Sequence, residues 1–241
     1  MLAKTIQLIQ GDTWRMECLE AVDALALPDW YIAAGFLRNA IWDALHAKSA
    51  RTPLNDVDVI YYDLGDHGTA AEAQIESVLQ ARCPTVKWEA RNQARMHLRN
   101  GHAPYRDSAH AIAHWIETPT CVGVRIGRDR GLEIVAPYGL AENWSLRVAP
   151  NPRIQYPAAL FTQRVREKRW LEHWPNLRVE WPSETHPEPA LAVFDLDGTL
   201  LRGRTVCELL AEPLGRLDRM QRLERFTTEA DLAAARDEMA T

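Results

Sequence analysis

The chain has 241 residues, with 28 Lys and Arg against 33 Asp and Glu, a formal net charge of −5. Hydrophobic residues make up 46% and charged residues 25%, the balance of a folding globular chain, which excludes a disordered one. The mild acidity argues against general nucleic-acid binding, no apolar run reaches the ~18–20 residues of a membrane span, and the N-terminus lacks a secretory pattern. The first 27 residues read as a helix, with Trp14, Cys18, Leu19, Val22 and Leu25 on one face, Asp12 or Thr13 as cap and Pro28 as stop. A short strand over residues 30–34 ends at Gly35, and helical spacing returns from Phe36 to Ala47 through Leu37, Ile41 and Leu45. Residues 57–62 are β-branched and aromatic, which predicts a strand. A helix over 70–81 and a strand over 85–91 follow. Next come a helical piece over 107–117 and a hairpin of strands 121–126 and 132–136. The last helix of this part is predicted over 157–174.

Three prolines in the nine residues from Trp181 to Pro189 mark a linker, placed over 181–190. The expected organisation is a mixed α+β domain over 1–180, that linker, and a segment over 191–241 that opens like an α/β domain. The four cysteines, Cys18, Cys83, Cys121 and Cys207, are far apart and form no CxxC pair. A disulfide framework and a structural zinc site are therefore not expected, and a reduced, cytoplasmic setting is.

The chemistry concentrates between Ala33 and Asp63. Asp56 and Asp58 are two apart at the start of a predicted strand, and the period of two puts both carboxylates on one face. Paired carboxylates resist ionisation unless a cation lies between them, and hard oxygen ligands at this spacing suit Mg²⁺. Upstream, Gly35 stands between a strand and a helix, where backbone amides approach a phosphate, and Arg38 one turn later adds a charged contact.

This order of strand, glycine, helix and D-x-D strand resembles the polymerase-beta-like nucleotidyltransferase superfamily. Most members carry Gly-Ser or Gly-Gly at the turn, whereas this chain carries Gly35-Phe36. A narrower bacterial nucleotidyltransferase-like family is similar in that respect and matches Gly35, Arg38 and Asn39 as G-x-x-R-N. It also resembles the chain at residues 92–97, at Pro104-Tyr105, Glu117-Thr118 and residues 136–140, and at Lys168-Arg169-Trp170 with Trp174-Pro175. The resemblance implies a mixed sheet with flanking helices, NTP and a hydroxyl acceptor as substrates, and Mg²⁺ on Asp56 and Asp58. It also implies a third carboxylate from a neighbouring strand, with Glu89 the first choice and Glu133 the second. Gly35, Arg38, Asn39, Asn92, Arg95 and His97 are the candidate nucleotide-binding residues, the last three alternatively serving a helix cap.

A second motif stands at residues 194–200, where Asp195, Asp197 and Thr199 form D-x-D-G-T after an apolar run. It resembles the first motif of haloacid-dehalogenase-like phosphatases, in the phosphoserine-phosphatase-like branch. There the first aspartate accepts the phosphoryl group and the second is the general acid/base. Only 42 residues follow Thr199, and the later motifs of that family find no place in them. The expectation is thus an incomplete, inactive α/β segment. His110 and His114 read as exposed helix positions, the basic helix around Arg164 to Arg169 as a solvated face, and the tryptophans as packing residues.

The expected function is nucleotidyl transfer. The alternatives are a phosphatase active only in a longer parent chain, and a catalytically silent nucleotide-binding or antitoxin-like module with a protein partner.

Overall fold

A computed structural model describes residues 1–66, 68–154 and 158–182. The chain starts with two helices, α1 (Leu2–Gln10) and α2 (Thr13–Asp23), where one was expected. The break falls at Gly11-Asp12, because the Asp12 side chain accepts from the Arg15 amide and starts a new helix there. Strand β1 (Tyr31–Ala33), helix α3 (Gly35–Leu45), strand β2 (Val57–Tyr61), helix α4 (Ala70–Arg82) and strand β3 (Trp88–Asn92) follow. Helix α5 (Gln93–Asn100) begins immediately after β3, and a short α6 (Ser108–Ile112) takes the place of the longer helix read from the sequence. A 3-10 turn at Thr118–Thr120 leads into the hairpin of β4 (Gly123–Ile126) and β5 (Leu132–Val135). Then come α7 (Ala141–Trp144), β6 (Arg147–Val148), α8 (Ala158–Glu167), α9 (Trp170–His173) and β7 (Arg178–Val179). The last predicted helix breaks between α8 and α9, where Arg169 sits in the left-handed region at φ 51°.

The main sheet has the order β3-β2-β1-β4-β5. It is mixed, as expected: β1 runs antiparallel to β2 and β4, whereas β2 and β3 are parallel and joined by the α4 crossover. Alternation along the strands divides the residues between two faces. Val57, Val59, Tyr61, Trp88 and Ala90 point to the face that packs on α1 to α4, with Ile9, Leu19, Val22, Leu37 and Leu79 completely buried there. Asp58, Ile60, Glu89 and Arg91 alternate with them and belong to the opposite face. That second face is covered at one end only, where Tyr31, Ala33, Ile60, Ile112 and Cys121 cluster. A third cluster ties the C-terminal helices to α3: Trp42 meets Trp170 and Trp174 edge-on at 5.5 and 5.0 Å between ring centroids, with Phe161 and Val165 beside them.

Among the described residues no helix is long and apolar enough to cross a membrane. The D-x-D-G-T motif with Asp195, Asp197 and Thr199, and the whole 191–241 segment, lie outside the described residues.

Candidate active site

The register of β2 on β3 makes the site. Asp58 and Glu89 are direct partners across the parallel pair, so their side chains leave the same face of the sheet side by side. Asp56 shares that parity one step before the strand. Carboxylate oxygens of Asp56, Asp58 and Glu89 all lie within 4.8 Å of one another, the donor set and spacing of a divalent-cation site. Burial, followed by the charges of Asp56 and Glu89, pushes the Asp58 carboxyl up to about 7, while Lys168 and Arg38 pull it down. A cation at this point would relieve the repulsion, so the residues present fit Mg²⁺.

Glu133, the second candidate, does not join them. It stands on β5 at the far edge of the sheet, largely exposed, and its carboxylate takes Arg125 at 2.7 Å. The strand order separates it from β2 by β1 and β4, an order that spacing along the chain does not disclose.

Next to the carboxylates, β1 turns into α3. Ala34 carries φ 54°, a region costly for a residue with a Cβ, and the sharp turn it makes starts the helix at Gly35. A Cβ at Gly35 would meet Leu54 Cδ2 at 3.1 Å and Arg38 Nη2 at 3.4 Å, so the turn is closely packed. Phe36 points away from it, buried in the helix-side core against Trp14. The departure from Gly-Ser therefore removes a hydroxyl donor but does not obstruct the backbone.

Arg38 is buried, with Nη1 donating to Thr120 Oγ1 at 2.7 Å, and Nε and Nη2 donating to Asn39 Oδ1 at 3.1 and 3.0 Å. Its guanidinium lies 4.9 and 4.4 Å from the ring centroids of Trp42 and Trp170. No carboxylate pairs with it among the described residues, and burial holds its pKa down to about 10. Asn39 thus acts as the acceptor that orients Arg38, and both line the cleft.

That cleft has a volume of about 750 Å³, and its wall includes Gly35, Arg38, Asn39, Asp56, Asp58 and Glu89. Asn92, Arg95 and His97 are not part of it. Asn92, completely buried, caps α5 and accepts from the amides of Ala94 and Asp63 at 3.1 Å each, so its side chain is spent on the fold. Arg95 pairs with Glu72 at 2.6 Å on the α4 side, and His97 packs edge-on against Tyr105. Their neighbours Gln93, Met96, Arg99 and Asn100 line the cleft instead, one to three helix positions away.

Two further expectations change. Arg164 and Lys168, read as a solvated face, form a cationic wall opposite the carboxylates, with Arg164 held by the fully buried Glu117 at 2.6 Å. His110 and His114 are partly buried, their rings 4.6 Å apart, and His114 together with His102 reaches the cleft. The one signal in the chain for the cationic wall was the motif Lys168-Arg169-Trp170 with Trp174-Pro175, which the helical charge pattern masked.

A mixed sheet that sets a carboxylate triad beside a glycine turn and a helix N-terminus is the plan of a nucleotidyl-transferring enzyme. The family pattern described as Nucleotidyltransferase matches residues 20–179, and the chain belongs to that family. A solved NMR structure, described as revealing a CCA-adding enzyme head domain, is similar with a TM-score of 0.67 and 30% identity, over 75% of this chain and 96% of that one. A chain from a structure of tRNA-processing enzyme complex 3 gives a TM-score of 0.40 and 15% identity, over 68% and 43%. No curated protein matches the chain.

Proposed function

We propose that this protein transfers a nucleoside monophosphate from an NTP to an acceptor hydroxyl, with Mg²⁺ held by Asp56, Asp58 and Glu89. The observation that carries the reading is the convergence of those three carboxylates in one cleft with Gly35 and Arg38. In the reaction the acceptor oxygen bonds to the α-phosphorus, the bond from that phosphorus to the β-phosphate oxygen breaks, and pyrophosphate leaves with the electron pair. The hydroxyl proton passes to Glu89 and on to solvent. When bound, Mg²⁺ supplies charge neutralisation on the phosphates and acidifies the hydroxyl.

The protein groups have separable tasks. The turn at Gly35 presents backbone amides, and Arg38 supplies a fixed positive charge to the phosphates. Arg91 holds Glu89 in place, bridging it at 2.9 Å to Glu76 at 3.0 Å. The description of the 30%-identical relative brings a nucleic-acid hydroxyl into the set of acceptors to be tried. We read the 191–241 segment, on its motif alone, as haloacid-dehalogenase-like sequence that takes no part in this reaction. NTP as substrate and Mg²⁺ as cofactor agree with a cytoplasmic setting.

The test is pyrophosphate release from each of the four NTPs in the presence of Mg²⁺ and an acceptor panel. The wild-type protein releases pyrophosphate with at least one NTP, and Asp56→Asn lowers the rate by about 10³-fold or more. Full Mg²⁺-dependent release by Asp56→Asn refutes the proposal.

A further inference from the structure

The carboxylate triad divides the cleft. On one side of β2 lie β1, the Gly35 turn and Arg38, which the transferase reading assigns to the NTP phosphates. On the other side lie β3 and then α5, so an acceptor reaches Glu89 from the α5 side. The cleft continues in that direction. A second hollow of about 330 Å³ is lined by His102, Ala103, His114, Arg153 and Ile154, and three of these, His102, His114 and Ile154, also line the main cleft. The two spaces therefore adjoin.

The chemistry of this arm has one sign. Arg99 lines the main cleft and Arg153 the second hollow; neither has a carboxylate partner among the described residues, and the Arg153 guanidinium lies over the Tyr138 ring at 5.5 Å. No carboxylate lines the second hollow among the described residues. His102 adds a donor. Asn100 Nδ2 donates to the Tyr105 hydroxyl oxygen at 3.2 Å, and that hydroxyl lies 2.6 Å from His102 Nδ1. With Tyr105 donating to Nδ1, the imidazole carries its proton on Nε2, a tautomer assigned from this network. Two unpaired guanidiniums and an imidazole N–H, in a chain whose net charge is −5, make a local anion trap. A cationic acceptor would be repelled here, and a neutral one would leave the charges unused.

We infer that the histidine arm is the acceptor subsite and that the acceptor bears a phosphate group, held by Arg99, Arg153 and His102, while its hydroxyl lies at Glu89. This rests on the transferase reading above. The same chemistry is offered by a free phosphorylated alcohol and by the end of a nucleic-acid strand.

Binding and turnover separate the possibilities. Binding of ribose 5-phosphate, ribose and a 12-nucleotide RNA with a free 3′ hydroxyl is measured by calorimetry on the full chain with Mg²⁺ at 150 mM salt. At least one of the two phosphate-bearing probes is expected to bind at least about tenfold more tightly than ribose. The double variant Arg99→Ala/Arg153→Ala is expected to weaken that binding by about 10–100-fold and to change NTP binding less than about twofold. Binding of the sugar phosphate identifies a free acceptor as the source, and binding of the RNA alone identifies a strand. If neither binds, or if the double variant binds as wild type does, the subsite is refuted. If a probe binds as expected but elicits no pyrophosphate release with any NTP, the subsite stands and the transferase reading falls.

Discussion

At the level of single residues, position in the sheet decides which carboxylate matters. Glu89 faces Asp58 across one strand pair, whereas Glu133 lies at the opposite edge and holds Arg125. Glu89→Gln is therefore expected to lower kcat/KM by about 10²–10³-fold, and Glu133→Gln to leave it within about twofold, in the pyrophosphate-release assay. Asp58 makes a second prediction, about stability. Its carboxyl titrates near 7 in the folded chain against an ordinary value of 3.8, so folding favours its neutral form. The stability this group contributes is complete below pH 3.8 and is lost as pH rises through about 7. In the metal-free protein, Asp58→Asn should thus raise stability at pH 8 by roughly 1–2 kcal/mol, a figure reduced for its contact with solvent, and by only about a third as much at pH 5. Urea melts at the two pH values check it, and added Mg²⁺ should stabilise the wild type at pH 8 more than the variant. The aspartate pair and Glu89 were legible because strand alternation is short-range. Glu133 stood as the second choice after Glu89, since nothing local reveals that two strands intervene between it and β2. Asn92, Arg95 and His97 were read either as nucleotide-binding residues or as a helix cap; Asn92 is the cap of α5, while an ion pair and a ring contact engage Arg95 and His97.

At the level of elements, the cleft depends on how the loop before β2 is fastened. Asp43 on α3 accepts from the Thr52 amide at 2.9 Å, the Thr52 hydroxyl at 2.6 Å and Trp174 Nε1 at 2.7 Å. One buried carboxylate thereby joins α3, the loop that leads to Asp56, and the chain just past α9. Asp43→Ala leaves three donors without an acceptor and is expected to cost about 3–5 kcal/mol in chemical denaturation, with activity lost in parallel. Conservative Asp43→Asn keeps part of the network and should cost less. The five strands of the main sheet and the helices α3 and α4 followed from the sequence pattern with small shifts at their ends, whereas the two-residue strands β6 and β7 did not. The breaks at Gly11-Asp12 and at Arg169 did not, because each arises from a cap or a left-handed residue inside an otherwise continuous helical pattern. Helix α5 escaped notice because its polar face dominates its eight residues.

On the scale of the whole molecule, the chain is acidic but its cleft sets Arg38, Arg91, Arg164 and Lys168 around three carboxylates, with Arg99 in the arm assigned to the acceptor. Binding of the NTP and of an anionic acceptor is accordingly expected to weaken as salt rises from 50 to 300 mM, by about tenfold or more, whereas a neutral acceptor would show little change in KM. The two aspartate motifs are also expected to act independently. Asp195→Asn should leave nucleotidyl transfer within about twofold of wild type, in contrast to Asp56→Asn, and a side-by-side rate measurement checks it.

The packing of Trp170 and Trp174 on Trp42 has a consequence for synthesis on the ribosome. The carboxylates and the Gly35 turn emerge within the first 89 residues, but Arg164, Lys168 and the tryptophans that shield Arg38 come some 75 residues later. A nascent chain of about 150 residues, released at roughly 5–20 residues per second, thus spends several seconds with its acidic cluster made and its cationic wall still missing. On the transferase reading it would in that interval offer carboxylates to a divalent cation but no enclosure to a triphosphate, so substrate capture would wait for the last helices.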